Sequence, residues 1–237
     1  MIRYLIFTSV ILTSLAAEPD RKSLFKALHT HDASIPGQES LYRLDFTEHE
    51  NESTPLAWFK KHGFIEKFAS KIQLGFRHEG ILFEASSKRT AVFLKQHQIE
   101  GATKIKILWK VLKYPAGANW EDGNAYSAIS VNVAFGDEKF PSGHFFLPAA
   151  PRFFSLFPGQ YEPEGKFYQH KYYKDSSRHV CVASAIQPGE WITTEFELPQ
   201  NFQKTFGIPM PSISGFGIAI HTSGESKALL KAIEFLN

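Results

Sequence analysis

Trp120 stands in a polar stretch with Asp122 and Asn124, and further along Tyr161, Tyr168, Tyr172 and Tyr173 gather in a short segment. Sugar rings present flat apolar C–H faces, so a glycan site combines Trp or Tyr platforms with a few polar groups that fix orientation. On that ground Trp120, Asp122, Asn124, Tyr161, Tyr168 and Tyr173 form the candidate ligand-binding set. The plainer account of the neighbouring Phe145, Phe146, Phe153, Phe154 and Phe157 is a small core pinning their own loop. Trp58, Trp109 and Trp191 read as main-core residues.

A second chemistry is catalytic. Taken as a strand, Phe167 to Tyr173 places His170 and Tyr172 on one face and Lys171 and Tyr173 on the other. A neutral His or Tyr beside a cation can remove the proton next to a uronate carboxylate, the step a polysaccharide lyase requires. Glycoside hydrolysis would need paired carboxyls roughly 5 to 9.5 Å apart, and no spacing in the chain fixes a distance among Glu121, Asp122, Glu162 and Glu164. Metal chemistry has little to build on. His29-x-His31 with Asp32 is a tight cluster in a polar segment, where solvated side chains account for it, and no Cys-x-x-Cys or His-Glu-x-x-His spacing occurs. Asp45, Asp122 or Asp137 could serve a Ca²⁺ site, which leaves no strict signature; the cofactor expectation is none. Gly215-x-Gly217 lies in an apolar run without a following helix, so it marks a bend or close packing and not a phosphate loop. Cys181 is the single cysteine, flanked by Val180 and Val182, which excludes an intramolecular disulfide and suits a buried inert thiol.

The elements that must position these groups are strands. Ile72, Leu74 and Phe76 alternate with polar residues, the turn His78-Glu79-Gly80 follows, and Ile81, Phe83 and Ala85 alternate again, as in a β-hairpin. Leu41 to Phe46 and Thr90 to Gln96 are strand-like. Ile105, Ile107, Trp109 and Val111 oppose Lys104, Lys106 and Lys110, and Ile129, Val131, Val133 and Phe135 mark another inward face. Gly136 to about Lys166 reads as a long Pro-rich aromatic loop. Further strands are expected at Phe167 to Tyr173, His179 to Ala185, Trp191 to Leu198, Ser214 to His221 and Ala232 to Leu236. One helical turn is expected at Asn201 to Phe206. With 22 Phe, 8 Tyr and 4 Trp and no regular helix alternation, the chain suits a β interior better than a parallel α/β sheet. The fold expectation is an all-β, antiparallel two-layer jelly-roll sandwich with a long aromatic loop and a short N-terminal helical arm.

Arg3, the uncharged run Tyr4 to Leu15 and the pair Ala16-Ala17 have the layout of a secretory leader. The run is shorter than the roughly 20 residues of a membrane span. The expected division is 1–17 signal peptide, 18–40 arm and 41–237 sandwich, with a periplasmic or secreted product and no transmembrane segment after leader cleavage. A formal charge of +2 from 26 basic and 24 acidic residues gives no electrostatic footprint for nucleic acid. Oligomeric state has no sequence signal.

The order of an opening Leu44-Asp45-Phe46 strand, Leu82-Phe83-Glu84-Ala85-Ser86, Lys106 to Val111, and Asp122 ahead of Ala128 to Phe135 resembles a bacterial exported family. That family is the domain of unknown function numbered three-zero-four-seven. Val180 to Ser184, Gly189-Glu190-Trp191, Phe206-Gly207 and Ser214 to Ile220 continue the likeness to the C-terminus. The resemblance implies a secreted sandwich similar to carbohydrate-binding jelly rolls and supplies no activity. Where that pattern has an acidic, Asn-bearing turn, this chain has His221-Thr222-Ser223-Gly224-Glu225. Three readings follow: a non-enzymatic protein binding a carbohydrate or small molecule, a polysaccharide lyase or hydrolase centred on His170 and Tyr172, and a structural or interaction protein of the cell envelope.

Overall fold

The computed structural model describes residues 38–49, 52–67 and 72–237. The leader, the His29/His31/Asp32 cluster and nearly all of the arm lie outside the described residues. Two sheets form a sandwich. The first joins β1 (Ser40–Asp45), β3 (Gln73–Arg77), β4 (Gly80–Ser86), β6 (Lys104–Lys113), β11 (Trp191–Glu197) and β13 (Glu225–Leu236) in the order β11-β6-β13-β4-β3. β1 pairs with the C-terminal half of β13, along the edge whose N-terminal half takes β4. The second has the order β2-β5-β12-β7-β8-β10-β9, from β2 (Phe64–Lys67), β5 (Arg89–Ile99), β7 (Ser127–Phe140), β8 (Ala150–Pro158), β9 (Phe167–Tyr168), β10 (Ser177–Ala183) and β12 (Ile213–Thr222). Pairing is antiparallel throughout except for β8 and β10, which run parallel.

Alternation selects the core. Ile105, Ile107, Trp109 and Val111 of β6 are fully buried with Ile129, Val131, Val133 and Phe135 of β7 in one cluster, each such side chain contributing about 1.5–3 kcal/mol by leaving water. In the second sheet Val180, Val182, Ile218 and Ile220 point into this core. The period-two rule therefore turns His179, Cys181 and His221 to the outer face. Gly215 and Gly217 are close-packing positions: a Cβ there would come within 2.6 Å of the Lys95 carbonyl oxygen and 2.5 Å of that of Phe93. Among the described residues two short α-helices pack against the sandwich. α1 (Pro55–Lys61) begins where Thr54 Oγ1 accepts the Ala57 N–H and buries Trp58 and Phe59, and α2 (Leu198–Phe206) buries Leu198 and Phe202 and stops at Gly207 in the left-handed region. Among the described residues no helix is long and apolar enough to cross a membrane.

Four local expectations are corrected. The stretch Gly136 to Lys166 contains the end of β7 and all of β8, and only Phe154 and Phe157 of its phenylalanines are fully buried. Phe145 and Phe146 stand 93% and 79% exposed at the tip between the two strands and form no mini-core. The strand expected at Phe167 to Tyr173 ends after Tyr168, because Tyr173 enters the left-handed region and its carbonyl accepts the Ser176 and Ser177 N–H groups in a tight turn. Trp191 lies on the outside of the first sheet, with Lys110 Nζ 4.4 Å from its ring and its Nε1–H donating to Glu79 at 2.9 Å.

Candidate functional site

On the outer face of the second sheet, residues 119–124 fold into a closed loop. Asn119 Oδ1 accepts the Glu121 N–H, its Nδ2–H donates to Asp122 Oδ2 at 2.7 Å, and its backbone bridges to Asn124. Gly123, in the left-handed region, completes the turn. The loop is fastened from beneath by Glu162, a buried carboxylate that accepts the Trp120 N–H at 2.9 Å, the Gln160 N–H at 2.9 Å and the Tyr161 N–H at 3.1 Å. Trp120 is thereby laid against Phe157, centroids 5.3 Å apart and near parallel, with Tyr168 and Cys181 in the same small cluster.

Trp120, Asn124, Tyr126, Tyr168, His170 and His221, with Gln169, Lys171 and Lys174, line one open cleft of about 430 Å³. Its chemistry is mixed. Trp120 is only 8% exposed, so it forms a wall and not a free-standing platform. Tyr126 stacks on His221 at 5.0 Å, and His221 Nδ1 is 2.8 Å from Thr90 Oγ1. Tyr168 Oη–H donates a short hydrogen bond to Glu121, which also pairs with Lys166 at 2.6 Å. Burial, reinforced by that carboxylate, holds the Tyr168 phenol well above its ordinary range.

Three imidazoles gather at one end. His170 lies 5.4 Å from His179 and 6.4 Å from His221, ring to ring, and His179 lies 4.5 Å from Trp120. Burial, with the His221 and Lys171 charges nearby, pushes His170 down to about 4; burial, then His170 and His221, pushes His179 to about 3. Both are neutral at pH 7. The Tyr172 N–H donates to His170 Nδ1 at 3.3 Å, which leaves the proton on Nε2, a hydrogen-bond donor. A ring with so low a pKa is a weak proton acceptor at neutral pH, where a general base works best with a pKa near the working pH. Burial likewise pushes the Cys181 thiol up to about 11, in keeping with an unreactive cysteine.

Of the sequence-derived set, Trp120, Asn124, Tyr168 and His170 converge. Asp122 is bound to Asn119 and does not line the cleft. Tyr161 is 63% exposed beside Glu162, outside it. Tyr173 donates its hydroxyl to the Pro148 carbonyl at 2.7 Å and packs on Phe153. Tyr172 touches His170 without lining the cleft; its ring also meets His144 at 5.0 Å. Tyr126, His179, His221 and the lysines were missed by sequence reasoning. Asp45 is held by Thr47 and Arg43, and among the described residues no group of three His, Cys, Asp or Glu is placed to hold a metal ion.

No family model and no curated protein matches the chain. Among solved structures it is similar to the family 11 carbohydrate-binding module of the cellulosomal cellulase Lic26A-Cel5E of Clostridium thermocellum. That likeness has 11% identity, 85% of this chain, 95% of that one and a TM-score of 0.36. A family 11 module from the same organism, in complex with a β-1,3-1,4-mixed-linked tetrasaccharide, is 9% identical over 73% of this chain and 86% of its own, TM-score 0.32. The K2 cleaved adhesin domain of Lys-gingipain is 12% identical over 87% and 92%, TM-score 0.31. Likenesses this distant carry no function to this chain.

Proposed function

We propose that this is an exported, non-enzymatic β-sandwich protein that binds a carbohydrate in the cleft beneath Trp120, and that it belongs with the exported family it resembles. The observation that carries the binding reading is the convergence of Trp120, Tyr126, Tyr168, Asn124 and the neutral His170 and His221 on one open cleft of about 430 Å³. That volume falls within the usual range for small-molecule sites, about 300–1,000 Å³. Aromatic faces supply apolar contact to sugar C–H groups, while the amides and imidazoles supply donors and acceptors for hydroxyls. Export rests on the leader-like segment 1–17, and fractionation of cells expressing the full chain tests it: a processed protein outside the cytoplasm is expected, and an unprocessed cytosolic one overturns it.

A glycan array followed by calorimetry tests binding. Tyr126→Ala is expected to weaken the best glycan about tenfold or more, since stacked aromatic groups at buried contacts are worth roughly 1–3 kcal/mol. An array with no ligand would overturn the reading. The exposed Phe145–Phe146 pair supports the runner-up, an interaction protein of the cell envelope. In that case Phe145→Ser with Phe146→Ser would abolish recovery of a protein partner while leaving glycan binding absent throughout.

A further inference from the structure

We infer that the ligand of this cleft is an acidic glycan, a chain whose sugars carry carboxylate or sulfate groups. The inference rests on the carbohydrate reading above and adds its charge. Among the described residues no carboxylate lines the cleft, whereas Lys171 and Lys174 do. Both are exposed, and neither makes an ion pair among the described residues. A third lysine, Lys88, reaches over the Tyr126 ring from the turn between β4 and β5, 5.9 Å from its centroid. His221 sits between these groups, and after burial the charges of Lys88 and Lys171 are what lower its pKa.

The nearby acids do not neutralise this field. Glu121 is offset by Lys166, and Asp122, a charged carboxylate hydrogen-bonded to the Asn119 amide, stays outside the lining. Asp175 follows Lys174 in the chain without lining the cleft. The whole chain is close to neutral, at +2, so this is a local excess and not a general one. Cationic side chains around a partly enclosed cleft raise the local concentration of anions and favour their binding. Neutral imidazoles and amides beside them suit sugar hydroxyls, which separates the site from a plain anion patch.

The test measures binding of an oligogalacturonide hexamer, a sulfated dextran oligosaccharide and cellohexaose to the full protein by calorimetry at low and moderate salt. Either acidic oligosaccharide is expected to bind more tightly than cellohexaose, and the better of the two identifies the acidic group. Lys171→Gln with Lys174→Gln should weaken that acidic ligand about tenfold, consistent with two partly exposed ion pairs. Rising salt should weaken it as well. Lys204→Gln, on the exposed side of α2, should leave it unchanged. Equal or tighter binding of cellohexaose, indifferent to Lys171 and Lys174, overturns the acidic specificity and leaves the carbohydrate reading standing. An equal loss in Lys204→Gln reduces the effect to diffuse attraction and also overturns it. Absence of binding by all three oligosaccharides, together with a blank array, removes both readings.

Discussion

Glu162 shows how one side chain can hold the wall of a cleft in place without lining it. Its carboxylate gathers three backbone N–H groups from two segments, those of Trp120, Gln160 and Tyr161. Glu162→Ala is expected to cost on the order of 3 kcal/mol, as buried donors lose their acceptor, and to weaken glycan binding through the displaced Trp120; urea unfolding and calorimetry read the two effects. Gly159→Ala should act through the same anchor. A Cβ there would meet Glu162 Oε2 at 2.6 Å and Cys181 Sγ at 2.8 Å, and overpacking of this kind costs about 1–3 kcal/mol. Trp120 and Asn124 were legible as candidates because an aromatic among loop-forming polar residues is unusual. The anchor was not, since an isolated Glu reads as solvated surface until the chain folds back over it. His221 was visible in the sequence only as a departure from a family's turn, which gives no hint that β12 ends at the cleft.

At the scale of elements, strands with clean alternation were legible: β6 and β7 bury the very residues their period marks, and the β3–β4 hairpin turns at His78-Glu79. β8 was hidden by its prolines. Pro151 is tolerated because it lies opposite the register shift in β7 between Phe135 and Phe140, and because β10 begins pairing only at Phe153. The segment after β9 misled in the opposite sense, since Tyr-x-His-x-Tyr alternates without being a strand. The imidazoles that this segment brings against β10 make stability depend on pH. His170 and His179 titrate near 4 and 3 in the fold and near 6.5 when unfolded. Between those values the unfolded chain binds protons that the fold does not, so stability is full above about pH 6.5 and falls as pH drops toward 4. Thermal unfolding at pH 7.5 and 4.5 should differ by roughly 5–10 °C. His179→Gln should lose measurably less over that interval; an identical loss would remove His179 from the account.

Across the molecule, the two sheets share one core, and β13 is its hub, paired with β6 along one edge and with β4 and β1 along the other. Asn237 extends this pairing: its N–H donates to the Glu39 carbonyl at 3.1 Å, and its Oδ1 accepts the Glu39 N–H at 2.6 Å. Removal of residues 232–237 takes Ile233 and Phe235 from the core and the partner from β1. The shortened protein is expected to lose its cooperative unfolding transition, checked by near-ultraviolet circular dichroism during urea titration. The parallel register of β8 and β10 has its own consequence. A parallel neighbour obliges the chain to travel back the full length of the sheet before it can start again, and on that return journey lie Glu162, Tyr168, His170, Lys171 and Lys174. Much of the cleft's polar lining is thus carried on a detour that the topology demands in any case, where the exposed Lys171 and Lys174 can change without touching the core strands, whereas Glu162 on the same stretch cannot.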